Sequence, residues 1–321
     1  MSALILTGKP PGGKRLILAD VLPLDTPLVI QIFPIYACNQ ACGFCHFSIP
    51  AEKRGFVSGN LMMDGKLFVK CIDDMKGFPN KTRVLRFVGM GEPLLHPDIS
   101  QMVKYAAASG VADKTEIVTN GTLLTRDMAF RLSDAGLDRL VVSAQDTSLV
   151  EKVRYMHSFG RTHIHVKIID CCLKKPEDEQ MFYDAYEDAC DSIGVEYAGP
   201  IYPGVTFNNT VSPDRTQYGA RRSNPRVCPQ PFATMQINPD GNVVPCYSID
   251  YPEISGDANS ESLPEIWNGK KLRKFRLKML DGKEGASKAC NICEILNHRM
   301  YPEDSLDEAA DKLKGALHGE V

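Results

Sequence analysis

From Val29 onward, short apolar runs alternate with longer stretches of helical periodicity. The runs, at 29–36, 84–89, 115–119, 139–143, 163–170 and 195–201, are dense in Val, Ile, Leu and Phe, as buried strands are. Between them lie helical stretches near 62–76, 98–109, 125–135, 147–159 and 178–193. Each meets a glycine (Gly77, Gly110, Gly136, Gly160, Gly194) where a left-handed cap is expected. Strands alternating with helices of this length imply parallel βαβ units with right-handed crossovers. Six such strands predict an α/β fold, a partial (β/α)6 TIM-type barrel.

Past residue 220 the period changes. Runs at 233–237 and 242–245 flank Asp240-Gly241, a hairpin signal, and one helix is expected from near Ser262 through Leu272, Phe275 and Met279. The expected division is a lead-in over 1–28 that packs on the domain, the barrel over 29–205, a small C-terminal β-hairpin plus helix domain over 206–300, and a tail over 301–321.

Barrel enzymes build their sites at the C-terminal ends of the strands, and these ends carry the candidate chemistry. The first is followed by Cys38-Asn39-Gln40-Ala41-Cys42-Gly43-Phe44-Cys45. Three thiolates at this spacing can hold three corners of a [4Fe-4S] cube and leave one iron open, because the usual protein ligation is four cysteines. A three-cysteine zinc knuckle is the plainer alternative. The second end carries Gly91 and Glu92, the third Asn120, the fourth Ser143 and the fifth Asp170, Cys171 and Cys172. Gln145 and Asp146 read either as part of that constellation or as a turn into a helix cap. The C-terminal region holds Cys228, Cys246, Cys290 and Cys293. Spacing alone points first to structural zinc for these four, with a second Fe-S cluster as the alternative.

Charge and composition narrow the classes. A net charge of -3 and a pI near 6.2 leave no basic footprint for nucleic acid. No apolar run reaches the length of a membrane span and no signal peptide is evident, so a cytoplasmic enzyme without membrane contact is expected. In that compartment eleven cysteines imply thiolate ligands rather than disulfides. Cys71 and Cys190 read as small buried hydrophobes.

The C-x3-C-x2-C motif, with Phe44 before its last cysteine, resembles the signature of the radical S-adenosylmethionine (radical SAM) superfamily. The resemblance implies that Cys38, Cys42 and Cys45 hold a [4Fe-4S] cluster whose open iron binds SAM. An electron then splits SAM into methionine and a 5'-deoxyadenosyl radical. Gly89-Met90-Gly91-Glu92-Pro93 is similar to the family's Gly-Gly-Glu-Pro segment, with Met90 in place of one glycine, so Glu92 is expected at the SAM amino group. The family also implies Phe44 near adenine, Asn120 near SAM, Ser143 at the ribose or carboxylate, and the strand around Ile168 against the adenine. The C-x12-G-x4-C spacing from Cys228, an Ile-Trp-Asn segment and the final C-x2-C resemble the twitch domain, the shortened SPASM form. That form carries one auxiliary [4Fe-4S] cluster, and no cysteine follows Cys293 here.

This layout is similar to that of sugar and aminocyclitol dehydrogenases and epimerases. Oxidation of an alcohol carbon is therefore expected, with a flavodoxin- or ferredoxin-type electron donor. Epimerisation of a sugar or ribosomal peptide is the alternative, with Cys171 or Cys172 as hydrogen donor beside Asp170. The short lead-in argues against an added leader-binding module. Tyr202, Arg215, Arg221 and Arg222 stand in a Gly/Pro/Asn-rich connection that reads for most of them as a solvated linker, with an anionic or hydroxylated substrate as the alternative. A non-enzymatic zinc protein is the reading from another class.

Overall fold

The computed structural model describes residues 2–6, 15–50, 53, 58–199, 201, 205, 214–247 and 250–319. Within them ten strands form one sheet: β1 Leu4–Ile5, β2 Val29–Ile32, β3 Thr82–Phe87, β4 Ala112–Thr119, β5 Arg139–Ala144, β6 His163–Ile169, β7 Ser192–Glu196, β8 Thr234–Ile237, β9 Asn242–Val244 and β10 Gly256–Asp257. Their order is β1-β7-β6-β5-β4-β3-β2-β8-β9-β10. Strands β2 to β7 are parallel neighbours in sequence order, as βαβ units require. The crossover helices are Gly65–Met75, Ile99–Ser109, Arg126–Asp134, Val150–His157 and Pro176–Tyr186.

The two faces of the sheet differ. Ile30, Leu85, Ile117, Leu140 and Ile164 turn outward into the helix-packed core. Alternation then sends their neighbours inward, and one row of partners across the sheet reads Gln236, Gln31, Arg86, Glu116, Arg139 and His163. The barrel interior is therefore polar at this level. Burial pushes the Glu116 carboxyl up, but Arg86 and Arg139 on either side outweigh it and hold it below the usual range.

Three expectations needed correction. Gly77, expected as a left-handed cap, has no positive φ; the helix Gly65–Met75 ends on Lys76 in right-handed conformation. The helix read over 178–193 stops at Tyr186, and Gly194 lies inside β7 rather than at a helix end. A Cβ on Gly194 would stand 3.1 Å from the Leu6 carbonyl oxygen, so glycine admits the adjoining lead-in strand β1. The helix expected from Ser262 is two helices, Leu263–Trp267 and Lys270–Asp281. Gly269 makes the break, where a Cβ would meet the Glu265 carbonyl oxygen at 2.8 Å.

The expected hairpin is present as β8 and β9, with Gly241 in the left-handed region at φ 91°. It is not a separate sheet: β8 pairs in parallel with β2 from Val29↔Thr234 to Ile32↔Ile237. The first and last segments also pack on this frame. Trp267 is fully buried and donates its Nε1 proton to the Leu24 carbonyl at 2.8 Å, while the Arg276 guanidinium covers its ring at 4.0 Å. Leu313 and Leu317 of the last helix join the core.

Candidate active site

The cysteine loop lies past the end of β2 and is tied to the ends of three other strands. The Gly91–Glu92 turn approaches it first: the Glu92 amide donates to the Ala37 carbonyl at 2.8 Å. Glu92 is 2% exposed, and its carboxylate accepts from the Leu94 amide at 3.0 Å, the Thr119 hydroxyl at 2.6 Å and the Asn120 amide at 2.7 Å. Burial holds its carboxyl above the usual range, against these donors. Its oxygens are thus engaged by this chain's own groups, and what they position is Asn120. The Asn120 side-chain amide donates to Asn39 Oδ1 at 2.8 Å and lies 3.8 Å from the Cys38 sulfur. Asn39 donates in turn to the Thr122 hydroxyl at 2.7 Å.

On the other side, the Gln145 side-chain amide donates to the Cys42 sulfur at 2.8 Å and to Gln40 Oε1 at 2.9 Å. Burial, joined by the neighbouring Cys45 and Cys38, pushes the Cys42 thiol up to about 11 against the pull of the Gln145 donor. Donors aimed at a sulfur favour its thiolate, the form that binds metal.

The other expected residues fall into place unequally. Ser143 stands half-buried on the inward face of β5, beside Lys167 in register. Phe44 is half-buried on the cysteine loop. Ile168 is a correction: its side chain lies in the helix-packed core with Val166 and Ala144, so only its backbone is available to a ligand. Asp170 accepts from the Ala198 amide at 2.7 Å and ties the end of β6 to the chain leaving β7. Mutual interaction of the adjacent Cys171 and Cys172 thiols holds Cys171 below the usual thiol range and Cys172 above it. The pair stands in the short 3-10 turn Asp170–Cys172 at the C-terminal end of β6. Tyr202 lies outside the described residues.

The four C-terminal cysteines line one cavity with Pro231, Phe275, Met279 and Leu296. Among the described residues no three His, Cys, Asp or Glu side chains gather as they would around a single ion. Four cysteines lining one cavity supply the four thiolates that a [4Fe-4S] cube takes, one at each iron. Burial pushes Cys228 up to about 12 and Cys246 well above the ordinary thiol value, so a cationic centre is what would make them thiolates.

A family model for the radical SAM superfamily matches residues 32–174, and one for the SPASM iron-sulfur cluster-binding domain matches 228–294. Together they take in well over half of the chain. The chain carries a radical SAM superfamily domain and a SPASM domain. It is 22% identical over 271 residues to the S-adenosyl-L-methionine-dependent 2-deoxy-scyllo-inosamine dehydrogenase of Niallia circulans, covering 84% of this chain and 93% of that protein. It is 36% identical over 106 residues to a tungsten-containing aldehyde ferredoxin oxidoreductase cofactor-modifying protein of Pyrococcus furiosus; that match spans 33% of this chain and only 27% of the relative. The crystal structure of BtrN in complex with AdoMet and 2-DOIA has the same fold, with a TM-score of 0.55, 17% identity, and coverage of 85% of this chain and 94% of that one. The radical SAM domain binds a [4Fe-4S] cluster and SAM, and the SPASM domain binds auxiliary Fe-S centres. No helix among the described residues is long and apolar enough to cross a membrane.

The radical SAM motif gives no sign of Arg299. It ends the helix Ile295–Arg299 that follows the last two auxiliary cysteines, and its guanidinium sits 5.0 Å over the ring of Tyr247, the neighbour of Cys246. That ring packs edge-on to Phe33 at 5.5 Å, in the cluster that also holds Phe47 just past Cys45. Burial pushes the Cys45 thiol up and the Arg299 charge pulls against it. A nearby cation favours the more negative, reduced form of a cluster. Arg299→Gln is therefore expected to shift the EPR-monitored midpoint of the N-terminal cluster to more negative potential, by about 59 mV if reduction becomes tenfold harder. Arg299→Lys should restore it; equal midpoints in wild type and Arg299→Gln would refute the assignment.

Proposed function

We propose that this radical SAM enzyme dehydrogenates an alcohol carbon of a small sugar-like or aminocyclitol substrate. The observation that carries the reading is the auxiliary cavity with its full set of four cysteines. Four protein thiols surround it, which leaves no vacancy for substrate and suits the centre to accepting an electron. The near full-length likeness to an aminocyclitol dehydrogenase supports the same reading.

When bound at Cys38, Cys42 and Cys45, the cluster and SAM supply a 5'-deoxyadenosyl radical that removes a substrate hydrogen atom. The chain's own residues do the holding. Glu92 fixes Asn120, Asn120 and Asn39 fix the Cys38 side of the loop, and Gln145 fixes Cys42. Gly91, Ser143, Phe44 and the backbone at Ile168 border the volume left for SAM, in a unit over 29–205, while 206–300 carries the auxiliary centre. A flavodoxin- or ferredoxin-type protein is the proposed donor.

The second reading, epimerisation of a sugar or peptide, rests on the Cys171–Cys172 pair at the C-terminal end of β6. Anaerobically reconstituted enzyme given SAM, reductant and a panel of aminocyclitols and sugars separates the two. A ketone formed with 5'-deoxyadenosine supports dehydrogenation. Solvent deuterium in a product of unchanged mass formula, lost in Cys171→Ala or Cys172→Ala, would replace it with the epimerase.

A further inference from the structure

Arg215, Arg221 and Arg222 take no part in the site described above. They belong to a tight hairpin in which Arg215 and Arg221 are partners in an antiparallel bridge. Gly219 turns it, at φ 82°, and a Cβ there would come 2.9 Å from the Tyr197 ring, so the hairpin is seated firmly on that tyrosine. Tyr197 is the first residue past β7. Gln217 of the same hairpin donates to the Glu196 carboxylate at 2.6 Å, which fastens the unit to the C-terminal end of the strand. That is the end of the sheet on which the cysteine loop also stands.

The bridge has an electrostatic cost. Directly opposed cross-strand residues have Cβ atoms about 5 Å apart, and like charges there are destabilising. Arg222 is offset by Glu294 at 3.0 Å, one residue past Cys293. Arg215 and Arg221 have no carboxylate within ion-pair distance among the described residues; Arg215 instead covers the Tyr197 ring at 5.3 Å and donates to its hydroxyl at 3.3 Å. Both are exposed. The three arginines border a cavity of about 900 Å³, within the size of small-molecule sites, together with Asp214, Asn224 and Asn297. With Arg222 offset by Glu294, the Arg215 and Arg221 guanidinium groups against the one Asp214 carboxylate leave its lining cationic. Guanidinium forks match the oxygen pairs of phosphate and carboxylate.

We propose that this cavity is an oxyanion site that takes the phosphate or carboxylate group of the substrate. The proposal rests on the preceding reading only in assigning the anion to the substrate; binding itself needs no turnover. An oxyanion between Arg215 and Arg221 would turn their repulsion into two attractions. The substrate class becomes a hydroxylated small molecule bearing a negative charge, in contrast to a cationic aminocyclitol.

The test is calorimetric titration of the reconstituted enzyme with inorganic phosphate, acetate, glucose 6-phosphate and glucose. Wild type should bind at least one of the two simple anions saturably, more weakly as salt rises, and glucose should not bind. Phosphate without acetate would assign a phosphoryl group, and acetate without phosphate a carboxylate. Arg215→Gln and Arg221→Gln should each weaken that binding at least tenfold, while iron content and melting temperature stay at the wild-type values because both side chains are exposed. Absence of saturable binding by either anion, or equal binding by wild type and both variants, overturns the proposal. Anion binding with no oxidised product would instead sink the dehydrogenase reading and leave the site standing.

Discussion

Replacing Cys38, Cys42 and Cys45 together by alanine is expected to leave about half of the iron in the reconstituted protein, as two cubes of equal size require, and to abolish SAM cleavage altogether. The two halves of this result have separate causes. The three cysteines sit on one loop past β2, while the auxiliary four line a different cavity formed by residues 228–293. The surviving iron should therefore remain bound. Cleavage should fall to the limit of detection rather than by a modest factor, because the open iron that takes SAM is lost with its ligands. Iron and sulfide counting with 5'-deoxyadenosine analysis checks both halves. Loss of all iron would mean that the C-terminal cysteines hold zinc or nothing, and the dehydrogenase reading would lose its electron acceptor.

Gly91→Ala is expected to produce nearly the same loss at the N-terminal site without touching a ligand. A Cβ at this position would stand 2.3 Å from the Ile35 carbonyl oxygen and 2.7 Å from that of Ala37. Both are backbone atoms, so no side chain can swing aside. The chain must separate here, and with it goes the Glu92 amide bond to Ala37, the contact that sets the start of the cysteine loop. Overpacking of this kind costs about 1–3 kcal/mol in stability, but the larger effect falls on geometry. Displacing Glu92 releases Asn120, the neighbour of the Cys38 sulfur. Iron content of the variant should approach that of the triple cysteine variant. Gly43→Ala is the control, since a Cβ there meets nothing within 4 Å. Full iron in Gly91→Ala would show that the loop tolerates the separation.

Features that depend on a local period or a fixed spacing were legible in the chain alone. The six parallel strands, the left-handed glycines at 110, 136 and 160, the Asp240-Gly241 hairpin and the two cysteine sets all belong to that kind. Gln145 was half legible. It shares a face with Ser143 by two-residue alternation, yet a turn and cap served equally well, and only the fold shows its amide reaching Cys42. Asp146 does behave as a turn residue, accepting from the Ser148 amide at 2.8 Å. The face that the Ile168 side chain takes was not legible, because an apolar residue on a strand looks alike on either face until the sheet has an inside. Glu92 was found but its surroundings were not, since its donors Thr119 and Asn120 come from another strand. Arg299 left no trace, because its partners Gln217 and Tyr247 are separated from it by at least 50 residues and are joined only by folding.

The parallel pairing of β2 with β8 also sets a schedule for synthesis. β2 leaves the ribosome early, but its partner on one side is Thr234–Ile237. At roughly 5–20 residues per second, the roughly 200 residues between them take on the order of 10–40 s to make. Throughout that interval the Val29–Ile32 edge has no strand beside it on that side, and an unpaired apolar edge is a template for a second nascent chain. The hairpin that later frames the auxiliary cysteines is thus also the piece that covers the β2 edge against the chain's own copies.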